Sequence, residues 1–340
     1  MLGYSTNMRP TARQVAELAN VSVATVSYVL SGRDRPVAAE TRQRVLEAAR
    51  ELGYTPNQAA RSLRKRRTQR VCLVLSSFGG VPTDERLATD LHEMADARGY
   101  SVVTLAVYSE ARAAAAIDVL RGGIADGALI NVVSDHLTRE LLTGLAATGL
   151  PMVVLSNESG LDGCDVVRTP EAEACAEAVE HLLAEGRRRI AFMAHRHELY
   201  RDKPAGRLLG YTTALDRHGV AERIVTSGAD DRVSAYQTAT ELLRSPDRPD
   251  AIFAASDRAA ISAIWAARDA GLDVPGDVAI VGAGNIDEGL ISNPPLSTVG
   301  PVRHDYTDVV RLLFDRLQAE EPPPAREIVR SWTFVRRGSS

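Results

Sequence analysis

The sequence is poor in cysteine. Cys72, Cys164 and Cys175 form an odd, scattered set, and no CxxC pair occurs. That argues against a disulfide framework and points to reduced thiols packed in a core. No apolar run approaches the roughly 18 residues of a membrane span, so no membrane partner is expected. The first thirty residues lack the basic, apolar, small-residue order of a secretory signal, so a cytoplasmic location is expected. Enzyme signatures are missing too. There is no GxxxxGKS/T, no GxSxG and no HExxH, and Gly282-Ala283-Gly284 lacks the third glycine of a dinucleotide loop. No catalytic residue and no resident cofactor are assigned. His195 and His197 have no third metal-capable group at useful spacing, so no metal site is expected.

At 340 residues the chain is long enough for two or three domains. Its charge is unevenly spread. Residues 1–70 carry 13 Lys and Arg against 5 Asp and Glu, whereas the remainder carries 27 against 39. A basic head on an acidic body is the footprint of a nucleic-acid-binding module joined to something else.

Thr11-Ala12-Arg13-Gln14 fits a capping box, with a hydroxyl at the N-cap and Gln at N3. Asn20-Val21 makes a short turn and Ser22 caps the next helix, which stops near Ser31-Gly32. A third helix is expected from Ala39 to Leu52, with Val45, Leu46, Ala49 and Leu52 as its apolar face and Gly53 as its stop. Ala38 occupies its N-cap, a local weakness of roughly 1 kcal/mol. Three short helices, two of them joined by a tight turn, read as a helix-turn-helix domain. Within SVATVSYVLSG, Val26, Val29 and Leu30 face inward, which leaves Val23, Ala24, Ser27 and Tyr28 on the opposite face. Small uncharged side chains let a helix approach base edges in a major groove. Val23 and Ala24 can touch thymine methyls, and Ser27 and Tyr28 can exchange hydrogen bonds with bases or phosphates. Affinity then comes from arginines elsewhere. A protein-contacting face is the competing reading.

From Val71 the texture changes. Near-continuous apolar runs at 71–76, 101–107, 127–133, 151–156, 190–194, 251–256 and 278–284 alternate with helical stretches. That pattern predicts parallel sheets covered on both faces, with ligands bound beyond the carboxyl ends of the strands. Those ends are Ser76–Phe78, Ser156–Asn157, His195–His197, Ser256–Asp257 and Gly282–Asn285.

The stretches TARQVAELANVSVATVSYVLSG and ETRQRVLEAARELGYTPNQAARSLR resemble the LacI/GalR transcriptional regulators. HLLAEGRRRIAF, RLLGY, PDAIFAASD, VPGDVAIVG and PPLSTV extend the likeness through a periplasmic-binding-protein-like core. The resemblance implies an α/β architecture with a helix-turn-helix domain over 8–56, a hinge helix and linker over 57–70, and an effector-binding and dimerisation core over 71–340. The core's N-subdomain is expected at about 71–166 and 299–325, and its C-subdomain at about 167–298 and 326–340. The family implies a repressor that binds near-palindromic double-stranded operator DNA as a homodimer, under the control of a small-molecule effector, sugar-like or another metabolite.

By resemblance, Ser22, Val23, Ala24, Thr25, Ser27 and Tyr28 match recognition-helix positions, and Thr11 and Ser22 match caps that also touch phosphates. Asn57, Ala60, Arg61 and Leu63 fall on the hinge helix, with Leu63 placed to wedge into a base step. Arg61 and Arg64 are placed to meet phosphates. A polar, basic hinge of under ten residues is too short to fold alone and needs both DNA and a twin from a second subunit. In the core, Arg207 matches the arginine that holds a ligand, and Asp230 stands where a stacking aromatic is usual. The expected effector set is Phe78, Ser156, His195, Arg207, Asp230, Ser256, Asp257 and Asn285. It is poorer in carboxylates and aromatics than a sugar pocket. An anionic ligand on Arg207 and His195–His197 is therefore expected, or loss of ligand control. Two other classes stay open at this point, an α/β enzyme and a solute-binding protein, each with the basic head as an accessory.

Overall fold

The computed structural model describes residues 10–31, 37–55, 67–76, 82–131, 136–156, 160–200, 206–321 and 323–340. The chain divides into two compact units between Thr68 and Gln69.

The first unit holds α1 (Ala12–Leu18), α2 (Val23–Ser31) and α3 (Ala39–Glu51). The capping box starts α1. Gln14 N–H donates to Thr11 Oγ1 at 3.3 Å, and Thr11 N–H donates to Gln14 Oε1 at 2.8 Å. Ser22 caps α2 by accepting from Thr25 N–H at 3.0 Å. No side chain caps α3, whose N-cap is Ala38. Val15, Ala16, Val26, Val29, Val45, Ala48 and Ala49 form a small buried core with Leu30 and Leu52 packed against it. The expected face of α3 needs one correction: Leu46 is partly exposed and Ala48 is buried in its place. Val45, Ala48, Ala49 and Leu52 follow the i, i+3, i+4, i+7 spacing of one helical stripe, and Leu46 falls outside it.

The second unit contains two six-stranded sheets among the described residues. The first sheet comprises β1 (Arg70–Leu75), β2 (Ser101–Ala106), β3 (Gly127–Asn131), β4 (Met152–Leu155), β5 (Asp165–Arg168) and β11 (Glu327–Val329). Its order is β11-β5-β4-β3-β1-β2, and every pairing is parallel. Helices α4 (Pro82–Ala97) and α13 (Thr307–Gln318) cover one face, and α5 (Glu110–Arg121) and α6 (Arg139–Ala146) the other. Strand β1 shows why its run is continuously apolar. Val71, Leu73 and Leu75 pack toward α4 and α13, while Cys72 and Val74 pack toward α5 and α6.

The second sheet comprises β6 (Ile190–Ala194), β7 (Ile224–Ser227), β8 (Ala251–Ala254), β9 (Ala279–Ala283), β10 (Ser297–Gly300) and β12 (Thr333–Val335). Its order is β12-β10-β9-β8-β6-β7, parallel except for the antiparallel edge strand β12. Its helices are α7 (Ala172–Ala184), α8 (Arg196–Leu199), α9 (Gly206–Arg217), α10 (Arg232–Arg244), α11 (Asp257–Asp269) and α12 (Glu288–Ile291). Tyr211 on α9 stacks on Phe192 of β6 with ring centroids 5.3 Å apart, and its hydroxyl donates to Ile190 O at 2.8 Å. All three cysteines are free and buried. Burial pushes the Cys72 thiol up to about 12 and the Cys164 thiol up to about 11, so neither is a thiolate at neutral pH.

The chain passes between the sheets three times: after β5, after β10, and between β11 and β12. The subdomain boundaries expected at 166, 298 and 325 therefore shift a few residues downstream. Strand β5 is a full member of the first sheet, and β10 stays with β9 through Val299. β11 returns to the first sheet, where Glu327 lies beside Val166. The expected linker over 57–70 loses its last residue to β1, since Arg70 pairs with Ser101.

Candidate nucleic-acid interface and effector cleft

On α2 the two faces separate as the spacing requires. Val26 and Val29 are buried, whereas Val23 is 48% exposed and Ala24 is exposed beside it. Thr25, Ser27 and Tyr28 are half-buried. Nine residues of α2 carry no charge at all. Ser22 Oγ lies 2.8 Å from Thr25 Oγ1, so these two hydroxyls also brace each other at the helix start. Thr11 and Ser22 thus sit at the N-termini of α1 and α2, where backbone N–H groups and the helix dipole favour a phosphate. Asn57, Ala60, Arg61, Leu63 and Arg64 lie outside the described residues, as does Phe78.

In the core, the three crossovers line a cleft of about 300 Å³. Thr169 comes from the first crossover, Pro301, Val302, Arg303 and Tyr306 from the second, and Arg330, Ser331 and Trp332 from the third, with Leu155 and Val167 as its floor. Arg330 is held by Asp308 Oδ1 at 3.1 Å and by the Asp305 carbonyl at 2.7 Å, and its guanidinium lies 4.8 Å from the Tyr306 ring centroid.

Arg207, in the first turn of α9, reaches this region. Its Nε donates to Glu171 Oε2 at 3.1 Å and its Nη1 donates to the Ala255 carbonyl. Its guanidinium carbon lies 5.0 Å from the centroid of Trp332, which also lines the cleft. A second carboxylate, Glu198, is buried nearby. Burial pushes its pKa up, against the pull of Arg207 and His195, and His195 N–H donates to its Oε2 at 2.8 Å.

The other expected effector residues divide. Ser156 and His195 are half-buried at strand ends. Ser256 uses its hydroxyl to cap α11, accepting from Ala259 N–H at 3.2 Å. Asp230 accepts from Arg196 N–H at 3.2 Å and stands 3.6 Å from His195 Nδ1. Hydrogen bonding from His195 holds its carboxyl below the usual range.

Two expectations are corrected. Asp257 is not presented to a ligand. It is 1% exposed, its Oδ1 accepts from the Thr298 hydroxyl at 2.5 Å, and its Oδ2 accepts from Ile286 N–H at 2.8 Å. Burial pushes its pKa up to about 6, against those two hydrogen bonds. Gly282 leaves room for it, since a Cβ there would collide with Asp257 Oδ1. Asn285, in the left-handed region at φ 53°, is likewise engaged. Its Nδ2 donates to Pro301 O at 2.8 Å, and its Oδ1 accepts from Arg337 at 2.6 Å. Asn285 therefore ties β9 to the second crossover.

A carboxylate and two aromatics do stand in this region. Glu171 is a carboxylate beside Arg207, and Trp332 and Tyr306 are aromatics on the cleft. Pro170-Glu171 after an apolar run and Trp332 near the C-terminal end were visible, but only the crossover geometry brings them to Arg207. Among the described residues, no three His, Cys, Asp or Glu converge on a metal position, and no helix is long and apolar enough to cross a membrane.

The LacI family of bacterial regulatory proteins matches residues 11–57, and a periplasmic binding protein-like domain matches residues 179–340. The HTH-type transcriptional regulator CelR of Thermobifida fusca is 34% identical over 340 residues, a span covering 96% of this chain and 98% of that protein. A solved complex of the regulator CelR with cellobiose has a TM-score of 0.67 at 30% identity, covering 98% of this chain and 100% of that one. The lac repressor dimer bound to operator and the anti-inducer ONPF has a TM-score of 0.72 at 25% identity, covering 98% of this chain and 99% of that one.

Proposed function

The chain belongs to the LacI family of bacterial regulatory proteins, and from that premise we propose that it represses transcription by binding a near-palindromic operator as a homodimer. A small molecule in the core cleft modulates that binding. The observation that carries the proposal is the face of α2. Its inner residues Val26 and Val29 are committed to the core, while Val23 and Ala24 stand outward on a helix without charge. A face of that composition suits close approach to base edges, with phosphate contacts made elsewhere. A C2 dimer reads two half-sites about one helical turn apart, so the site is expected to be a palindrome. The operator-bound lac repressor dimer supports the same arrangement here, and the cellobiose complex of CelR supports a ligand in the cleft.

Selection of sites from a random DNA pool by the purified, ligand-free protein tests the reading. Enrichment of a short palindrome is expected. Failure to enrich any sequence at low salt, both alone and with a metabolite extract added, overturns it. The hinge is tested separately. Leu63→Glu is expected to abolish binding to the selected site while the core stays folded, and normal affinity in that variant removes Leu63 from the hinge role.

A further inference from the structure

The chain enters the first sheet through a clamped residue. Gln69 stands at φ 54°, in the left-handed region that residues with a Cβ rarely adopt. Its backbone N–H donates to Asp126 Oδ2 at 2.9 Å, and its carbonyl accepts from Ser101 N–H at 2.9 Å. Asp126 N–H in turn donates to the Arg70 carbonyl at 2.8 Å. Asp126 is half-buried directly before β3, and Ser101 opens β2. The two strands that flank β1 therefore both hold the residues at its start. A left-handed glutamine persists only where its surroundings over-determine it, and a carboxylate on its N–H is a strong restraint of that kind.

We propose that Asp126 is a positioning residue for operator recognition: by fixing Gln69 it fixes the direction in which each chain leaves its core, and this sets the spacing of the two half-sites. The proposal rests on the reading of the protein as a homodimer on a palindrome. The polar, basic linker that precedes Gln69 is expected to order only on DNA. Such a segment has little stiffness of its own, so its reach is governed by where, and at what angle, it is anchored. In a two-fold dimer the two anchor points stand a fixed distance apart. A fixed exit direction then narrows the separations at which both recognition helices engage at once, and it raises the effective concentration of the second helix at its half-site. A loose exit spreads that distribution. It also lowers affinity at the best spacing, because the residues leading into β1 must then be ordered at the moment of binding. Asp126 suits the task because its strand is firmly held. β3 pairs with both β1 and β4, and its residues pack into the core on both faces of the sheet.

The test is site selection by the full-length protein as wild type, Asp126→Ala and Asp126→Asn. A random pool first gives the half-site, and a second pool then carries two copies of it separated by spacers of about 0–10 base pairs. The wild type is expected to choose one spacing. Asp126→Ala is expected to keep the same half-site bases, to accept several spacings, and to bind the best of them at least about tenfold more weakly. Asp126→Asn keeps an acceptor oxygen at the same reach and is expected to restore the narrow choice. A residue that only stabilised the core would lower the folded fraction without altering which spacing is chosen. An unchanged spacing profile in folded Asp126→Ala overturns the proposal, whatever its affinity, and so does a broad choice by the wild type or by folded Asp126→Asn. If Asp126→Ala does not fold, amide hydrogen exchange at Gln69 in the DNA-free wild type decides. Protection like that of the β1 core amides supports the clamp, and exchange as fast as in an unstructured chain overturns it. A wild type that selects no palindrome overturns the regulator reading and this proposal with it. A selected palindrome with unchanged spacing in Asp126→Ala sinks only the clamp.

Discussion

Arg316 Nη2 donates to Asp165 Oδ1 at 2.6 Å, with the carboxylate wholly withdrawn from solvent. Arg326 takes the other oxygen through Nε at 3.1 Å and Nη2 at 2.7 Å, and its backbone N–H donates to Oδ1 at 2.9 Å. One carboxylate on β5 thereby fixes α13 and the segment leading into β11. Burial alone raises the carboxyl pKa, but the hydrogen bonds from both arginines outweigh it and hold the group below the usual range.

Removing one partner of such a buried pair leaves the other charge uncompensated. Asp165→Ala is expected to lower unfolding stability by about 3–5 kcal/mol, since it strands Arg316. Because the folded-state pKa is depressed, the contribution of Asp165 is present above the unfolded value and is lost as pH falls through the folded one. Denaturant unfolding as a function of pH checks both points. The variant should show less acid sensitivity below about pH 4 than the wild type.

Asp84 works with the opposite sign. Burial pushes its carboxyl up to about 6, against a hydrogen bond from Asn131 Nδ2 at 2.6 Å, and its Oδ2 is buried without a hydrogen-bond partner among the described residues. The folded protein holds a proton that the unfolded chain has released, so stability falls as pH rises from about 4 to about 6. Asp257, also raised to about 6, acts in the same window. Asp84→Asn is expected to reduce that fall by on the order of 1–3 kcal/mol between pH ~4 and pH ~7. An unchanged pH slope in Asp84→Asn would remove Asp84 from the titration.

Ala38 has an extended backbone, with φ −52° and ψ 139°, and makes no side-chain cap for α3. Ala38→Ser or Ala38→Asp supplies the missing acceptor and is expected to stabilise α3 by about 1 kcal/mol. Amide hydrogen exchange along Ala39–Glu51 in the full-length protein is the readout, with slower exchange expected in the first turn.

Substitutions on the two kinds of residue proposed to contact DNA are expected to differ in character. Changes at Val23 or Ala24 should alter which base pairs are chosen, by about 1–3 kcal/mol per contact. Changes at Arg61 or Arg64 should weaken binding to every sequence and flatten its salt dependence. Site selection and salt titrations of operator affinity separate them. Uniform weakening by both classes contradicts the division into readers and positioners.

The parts legible in the sequence were those whose cause is local. Thr11 and Gln14 cap each other across three residues, and Ser22 meets Thr25 across the same span. The 3.6-residue spacing of Val26 and Val29 already separates the buried face of α2 from the exposed one. The long apolar runs announced the central strands, because strands covered on both faces cannot alternate with polar residues. Three edge strands, β7, β11 and β12, were not visible, whereas the edge strand β2 was. β7 alternates half-buried and exposed positions over only four residues, and β11 and β12 are three residues each, with little apolar signal.

What only the tertiary structure decided are relationships between distant residues. Asp257 and Thr298 are 41 positions apart, and their hydrogen bond turns a presumed ligand contact into a buried support for β9 and β10. Glu171 reaches Arg207 across 36 positions, and Trp332 arrives from the far end of the chain. A carboxylate's role depends on what faces it after folding, through desolvation and the charge of its neighbours. The sequence by itself determined a helix-turn-helix domain and a doubly covered α/β core, because caps and periodicity are written into neighbouring residues. Which carboxylates support the core and which one meets the cleft's arginine was decided by the three crossovers, because only they bring those groups within hydrogen-bonding distance.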